Sequence, residues 1–182
     1  TEEWCALPSD HKRVRAIRES AVPGRVVLGL FGDLKPKKGV ETLLEALREP
    51  ALAGRIHCLV AGTAPAEFLM QLPHGVSATL LAPMPRLDLI PHLLACDAVA
   101  LPSLYEGFPN LLLEAAALGV PLLASDAGGA GVLVDGVHGV VFRAGDARDC
   151  AWALERLGPP QDYRAACLAL AQEYSAARER DT

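Results

Sequence analysis

The sequence predicts an α/β domain: an open parallel sheet of about six strands with helices on both faces. Two observations carry that prediction. Short apolar runs recur along the chain, and each is followed by a stretch of helical periodicity. The runs are apolar at successive positions, not alternating, which is how strands covered by helices on both faces read. With 182 residues, 51% of them apolar, the chain suffices for one well-cored domain and is too short for two large ones.

The elements follow in order. Residues 1–24 are irregular and then basic, with His11, Lys12, Arg13, Arg15 and Arg18 on a short helix ended by Pro23-Gly24. They read as an N-terminal segment or interdomain linker ahead of a domain at 25–182. The first strand is RVVLGLFG (25–32), followed by an amphipathic helix at 39–49 with Val40, Leu43, Leu44 and Leu47 on one face. RIHCLVAG (55–62) is the second strand, with a short helix at 66–72 after it. SATLLAP (77–83) is the third, and 86–96 a helix expected to be irregular at Pro91. Residues 98–126, AVALPSLYEGFPNLLLEAAALGVPLLASD, supply a strand, an apolar helix to about Leu118, a stop at Gly119 and a further strand. A glycine loop (127–131), a short helix, a last strand (139–143) and two helices (147–157 and 161–180) complete the chain.

Composition excludes several classes of function. The net charge of −5 argues against a general nucleic-acid binder. No apolar run approaches the roughly 20 residues of a membrane span, and the opening residues do not read as a signal peptide. The five cysteines are scattered without a C-x-x-C pair, so they read as buried free thiols in a reducing compartment. No His or Cys cluster has zinc spacing and no D-x-D pair offers a divalent-metal site, so no metal is expected. Neither a Walker loop nor a G-x-G-x-x-G follows any predicted strand, which disfavours a dehydrogenase. His57, His74, His92 and His138 are isolated, and none reads as catalytic.

In such sheets ligands bind at the carboxyl ends of the strands, which selects the loops after Phe31, Val60, Leu81, Pro102 and Ala124. The first, FGDLKPKKGV, holds three of the chain's four lysines (Lys35, Lys37, Lys38) beside Gly32. Ammonium groups on a glycine-bearing loop suit a phosphate or diphosphate; a solvated turn is the alternative. The loop from Glu106 to Asn110 opens the apolar helix. Pro109 fits its first position, and the amides of Asn110, Leu111 and Leu112 form an anion site by geometry and dipole. Glu106 and Glu114 are the only charged residues between Ala98 and Ser125. Glu114 suits the paired hydroxyls of a ribose, or else faces solvent; Glu106 suits a sugar hydroxyl, or else serves the helix start. The SDAGGAG loop (125–131) offers consecutive backbone amides that suit an anion or a sugar, and reads first as a tight strand-to-helix turn.

Together these residues resemble a known family. PSLYEGFPNLLLEAAALGVPLLASDAGG (102–129) is similar to the signature of family-4 retaining glycosyltransferases, which have the GT-B fold of two Rossmann-like domains. Glu106 and Glu114 reproduce its E-x7-E spacing, with Gly107 and Pro109 between them and the A-x-G-x-P run (117–121) after. FGDLKPKKG resembles the G-R-L-x-x-x-K-G loop, and VDGVHGVVF the D-G-x-x-G segment.

The resemblance implies the C-terminal, Rossmann-like donor-binding domain of such an enzyme. Its substrate would be a UDP-, GDP- or ADP-sugar, whose hexose is transferred with retention, without metal or resident cofactor. Glu106 and Lys38 are its catalytic candidates, on the donor sugar and the diphosphate. Glu114 would hold the ribose, and the backbone of Gly107, Phe108, Pro109, Asn110 and Leu111 would cradle sugar and phosphate. Gly32 and Lys35 would line the diphosphate, and Pro83 and Met84 the base. Three departures stand out. Asp33 occupies the place of the family's loop arginine, Val132 that of a glutamate, and the acceptor-binding first domain has no counterpart in these residues. The implied setting is cytoplasmic, with membrane contact only through the other half and no transfer by this domain alone. The alternative is a non-catalytic nucleotide-binding or interaction module; a GT-B sugar epimerase is disfavoured by the E-x7-E spacing.

Overall fold

The computed structural model describes residues 12–63, 65–82, 84–105, 107 and 110–180. Six strands form one sheet: β1 (Val26–Asp33), β2 (Ile56–Thr63), β3 (Ser77–Leu80), β4 (Ala98–Leu101), β5 (Leu122–Ser125) and β6 (Gly139–Phe142). Every neighbouring pair is parallel, and the order across the sheet is β3-β2-β1-β4-β5-β6. The helices are α1 (Lys12–Ser20), α2 (Val40–Ala46), α3 (Pro65–Gln71), α4 (Ile90–Leu94), α5 (Asn110–Ala117), α6 (Ala147–Arg156) and α7 (Arg164–Arg180). The open, helix-flanked parallel sheet expected from the sequence is the fold observed.

Successive strand residues point to opposite faces, and here both faces are covered, so the strands are apolar throughout. Val27, Leu59, Val99 and Leu122 join one core with Leu93 of α4, Leu112 and Ala116 of α5, and Cys167 and Leu170 of α7. Leu28, Val60, Ala100 and Leu123 join the other, with Leu43 and Leu44 of α2 and Cys150 and Leu154 of α6. α1 docks on α4, burying Val14 and pairing Arg13 with Asp88 and Arg18 with Asp97.

Several boundaries differ from the expected ones. Residues 86–96 are not one helix kinked at Pro91: a 3-10 turn, Arg86–Leu89, leads into α4, and Pro91 lies in the first turn of α4. Proline has no amide to donate, so it starts this helix where it was expected to interrupt it. The glycine loop carries the 3-10 turn Gly128–Val132 itself, and among the described residues no further helix precedes β6. β3 stops at Leu80, short of the expected 83. Gly119 ends α5 with φ of 70°, and the Val120 amide returns to the Ala115 carbonyl at 2.9 Å, closing a Schellman-type cap.

The strand order sets the place of function. From β1 the chain builds outward to β2 and β3, then returns to add β4 on the other side of β1. Connections leave β1 and β4 in opposite directions, so a crevice opens at their carboxyl ends.

Candidate functional site

Two loops border that crevice. The loop after β1 passes through Leu34 and Lys35 into the 3-10 turn Pro36–Lys38 and reaches α2 through Gly39. Gly39 has φ of 66°, and a Cβ there would stand 1.7 Å from the Pro102 carbonyl oxygen. Only glycine lets the two backbones approach so closely. The Leu104 amide donates to the Lys37 carbonyl at 2.9 Å, a second tie between the loops after β1 and β4. Gly62 plays a similar part at the end of β2: a Cβ there would lie 1.6 Å from the Gly32 carbonyl oxygen. Lys35 and Lys37 are exposed on the turn and Lys38 is half-buried.

The loop after β4 is fastened from its other side. Buried Ser125, at the end of β5, donates its hydroxyl to the Ser103 carbonyl at 2.6 Å. α5 then starts at exposed Asn110, and half-buried Leu111 turns toward the core. Leu112, Ala115 and Ala116 are fully enclosed, so α5 runs through the interior and has little outer face. Glu114 is accordingly buried with them, not presented to solvent. Its carboxylate pairs with the guanidinium of Arg86, which belongs to the 3-10 turn before α4. That contact draws a third loop, the one after β3, to the same place. Met84, two residues before Arg86, is half-buried within it.

The structure thus places Gly32 near the end of β1, Lys35 and Lys38 on the turn after it, Met84 on the loop after β3, and Asn110, Leu111 and Glu114 on α5, around the carboxyl ends of the strands. Gly107 is exposed, with open space where a side chain would lie. Glu106, Phe108, Pro109 and Pro83 lie outside the described residues. Sequence reasoning alone misses Arg86 and Ser125. An arginine directly after the Pro-Met-Pro run, in a loop already singled out, is the available signal for the first. Ser125 offers none, because a hydroxyl ending an apolar strand says nothing of its partner.

Other polar groups serve the fold. His57 bridges the Ser77 and Thr79 hydroxyls at 2.8 and 3.0 Å. His92 Nδ1 lies 3.1 Å from the Asp88 carbonyl, and His138 Nδ1 accepts the Val134 amide at 3.0 Å. Burial lowers the pKa of all three, and the Arg25 charge adds to the effect at His57. Cys58, Cys96, Cys150 and Cys167 are buried free thiols. Burial pushes Cys58 and Cys150 up to about 12, so they are inert at neutral pH. Among the described residues no group of acidic, His or Cys side chains is arranged to hold a metal, and no helix is long and apolar enough to cross a membrane.

A protein-family model described as glycosyl transferases group 1 matches residues 25–158, most of the chain and every strand of the sheet. The chain belongs to this glycosyl transferase family. Among its relatives, a D-inositol 3-phosphate glycosyltransferase of Saccharomonospora viridis is 33% identical over 167 residues, covering 82% of this chain. One from Corynebacterium jeikeium is 34% identical and covers 92% of this chain. The chain spans 38% of the first of these proteins and 44% of the second.

Solved structures of this glycosyl transferase fold agree. Anabaena HepE, crystallised with UDP and glucose, superposes with a TM-score of 0.72 at 24% identity, over 94% of this chain and 50% of that one. The C-terminal domain of the group 1 family protein LpcC from Francisella tularensis superposes at 0.71 with 21% identity, covering 94% of this chain and 96% of that domain. This chain therefore has the fold of the C-terminal half of a GT-B enzyme.

Proposed function

We propose that this chain is the donor-binding part of a glycosyltransferase and that it holds a nucleoside-diphosphate sugar in the β1/β4 crevice. The observation that carries the reading is buried Glu114, set on α5 beside a crevice whose other wall is the lysine turn. Glu114 accepts the ribose hydroxyls, and the loop of Met84 flanks the base. Lys38 and Lys35, with Gly32 near the end of β1, take the diphosphate. The backbone of residues 107–111 cradles sugar and phosphate, and Glu106 contacts the transferred hexose. In this reading transfer retains configuration without a metal or resident cofactor, and the lysine turn stabilises charge developing on the departing diphosphate. The acceptor site belongs to another part of the whole protein. The relatives' names support sugar transfer, and the UDP complexes of HepE support the donor class.

Isothermal titration with UDP, GDP and ADP tests the reading. One of them binds, and Glu114→Ala weakens that binding by about 1–3 kcal/mol, the usual effect of stranding polar partners. No heat at millimolar ligand for all three would overturn it. The isolated chain turns over little or no donor; robust transfer by it would show that the acceptor site had been misplaced. One residue favours a second reading, a nucleotide-binding or interaction module without catalysis. Asp33 puts a negative charge where the family places an arginine, at the end of β1. Nucleotide binding with no transfer by the whole protein would select it.

A further inference from the structure

Glu114 and Arg86 form a lopsided pair. The glutamate side chain is 10% exposed, on a helix enclosed by Leu112, Ala115 and Ala116, whereas the arginine side chain is 62% exposed. A carboxylate drawn so far out of water requires a counter-charge or donors, and among the described residues Arg86 supplies it. The carboxylate is fixed by helix packing. The arginine side chain stands largely in solvent, where water can take over its guanidinium when a ligand claims the carboxylate.

We propose that Arg86 is a counter-ion gate on the nucleotide pocket: it occupies the Glu114 carboxylate in the unliganded protein, and a ligand's ribose hydroxyls must displace it. The proposal deepens the reading of Glu114 as the ribose acceptor and rests on it. Two sets of donors compete for one carboxylate, so the gate lowers affinity by the fraction of molecules in which it is open. A gate closed in about nine molecules of ten weakens apparent binding about tenfold. The gate also couples the loop after β3 to α5, making Met84 and Glu114 report on the same event.

The test is isothermal titration of Arg86→Gln and Arg86→Lys with UDP, GDP and ADP, at low and at high salt. Arg86→Gln is expected to bind the preferred nucleotide roughly 3- to 10-fold tighter, with the gain shrinking at about 0.5 M salt as the competing pair is screened. Arg86→Lys, which restores the charge, is expected to return affinity toward the parent. Far-UV circular dichroism and the thermal midpoint confirm that both variants keep the fold. Unchanged affinity in Arg86→Gln overturns the gate, and so does weaker affinity, which would mean that the arginine grips the ligand. If Glu114→Ala also leaves affinity unchanged, the ribose assignment itself has failed. If Glu114→Ala weakens binding while Arg86→Gln does nothing, only the gate has.

Discussion

The two ends of β1 and β4 use charge in opposite ways. At their amino ends Arg18, Arg25 and Asp97 are bound into the protein's own framework. Asp97 accepts the Val27 amide at 2.7 Å and Arg18 at 2.6 Å, while Arg18 also donates to the Ala95 carbonyl at 2.8 Å. Nearby, Arg25 donates to the Gly75 carbonyl at 2.7 Å and to Ser77, which in turn meets His57. A cavity of about 600 Å³ lies at this end, lined by Arg18, Val22, Val27, Asp97 and Pro159, and in it Arg18 and Asp97 are already turned on one another. At the carboxyl ends, three lysines stand on one turn, and a buried glutamate is matched by an arginine that remains largely in solvent. Size does not identify the site. The amino end has room, yet Arg18, Arg25 and Asp97 there are tied to backbone groups; the carboxyl end gathers lysines, an arginine and a buried glutamate around one crevice.

That contrast can be broken by experiment. The largest effect is expected from Asp97→Ala, which strands the Val27 amide and Arg18 together. A loss of about 2–4 kcal/mol in urea unfolding is expected, with nucleotide affinity of the folded fraction unchanged. A fall in affinity would show that the two ends are not independent. Next is Gly39→Ala, at a position with φ of 66° that touches the Pro102 backbone. It should cost about 1–3 kcal/mol and, unlike Asp97→Ala, also weaken nucleotide binding, because it pushes apart the two loops bordering the crevice. Thermal unfolding and titration on the same sample separate the two consequences.

The smallest effect concerns pH. His57 has its pKa held below the ordinary 6.5, by burial and then by Arg25, so the unfolded chain takes up the proton first. Its contribution to stability is complete above that ordinary value and is lost as pH falls through it toward the folded value. Urea midpoints at pH 7.5 and 5.5 should therefore differ less in His57→Gln than in the parent, with His92 and His138 supplying the remaining slope in the same direction.

Much of this protein is legible in its residues alone. Apolar runs at Val27–Leu30, Ile56–Val60 and Leu122–Ala124 read as strands because both their faces are buried, which leaves a continuous local signal. Gly39 and Gly119 punctuate the chain where positive φ is needed. Pro91 misleads, because a proline inside an apolar stretch fits the first turn of a helix as well as a break in one.

The sequence by itself determined the fold class, the loops eligible for a ligand and the pairing of Glu106 with Glu114 at E-x7-E spacing, since these depend on local periodicity and on residue types at short range. Tertiary structure decided which strands meet. It placed β4 beside β1, joined Lys37 to Leu104 and Ser125 to Ser103, and brought Arg86 to Glu114. Those partners are far apart along the chain, and only the packing of both sheet faces selects them: burying Glu114 with its helix creates a need for charge, and the nearest loop that can supply it answers.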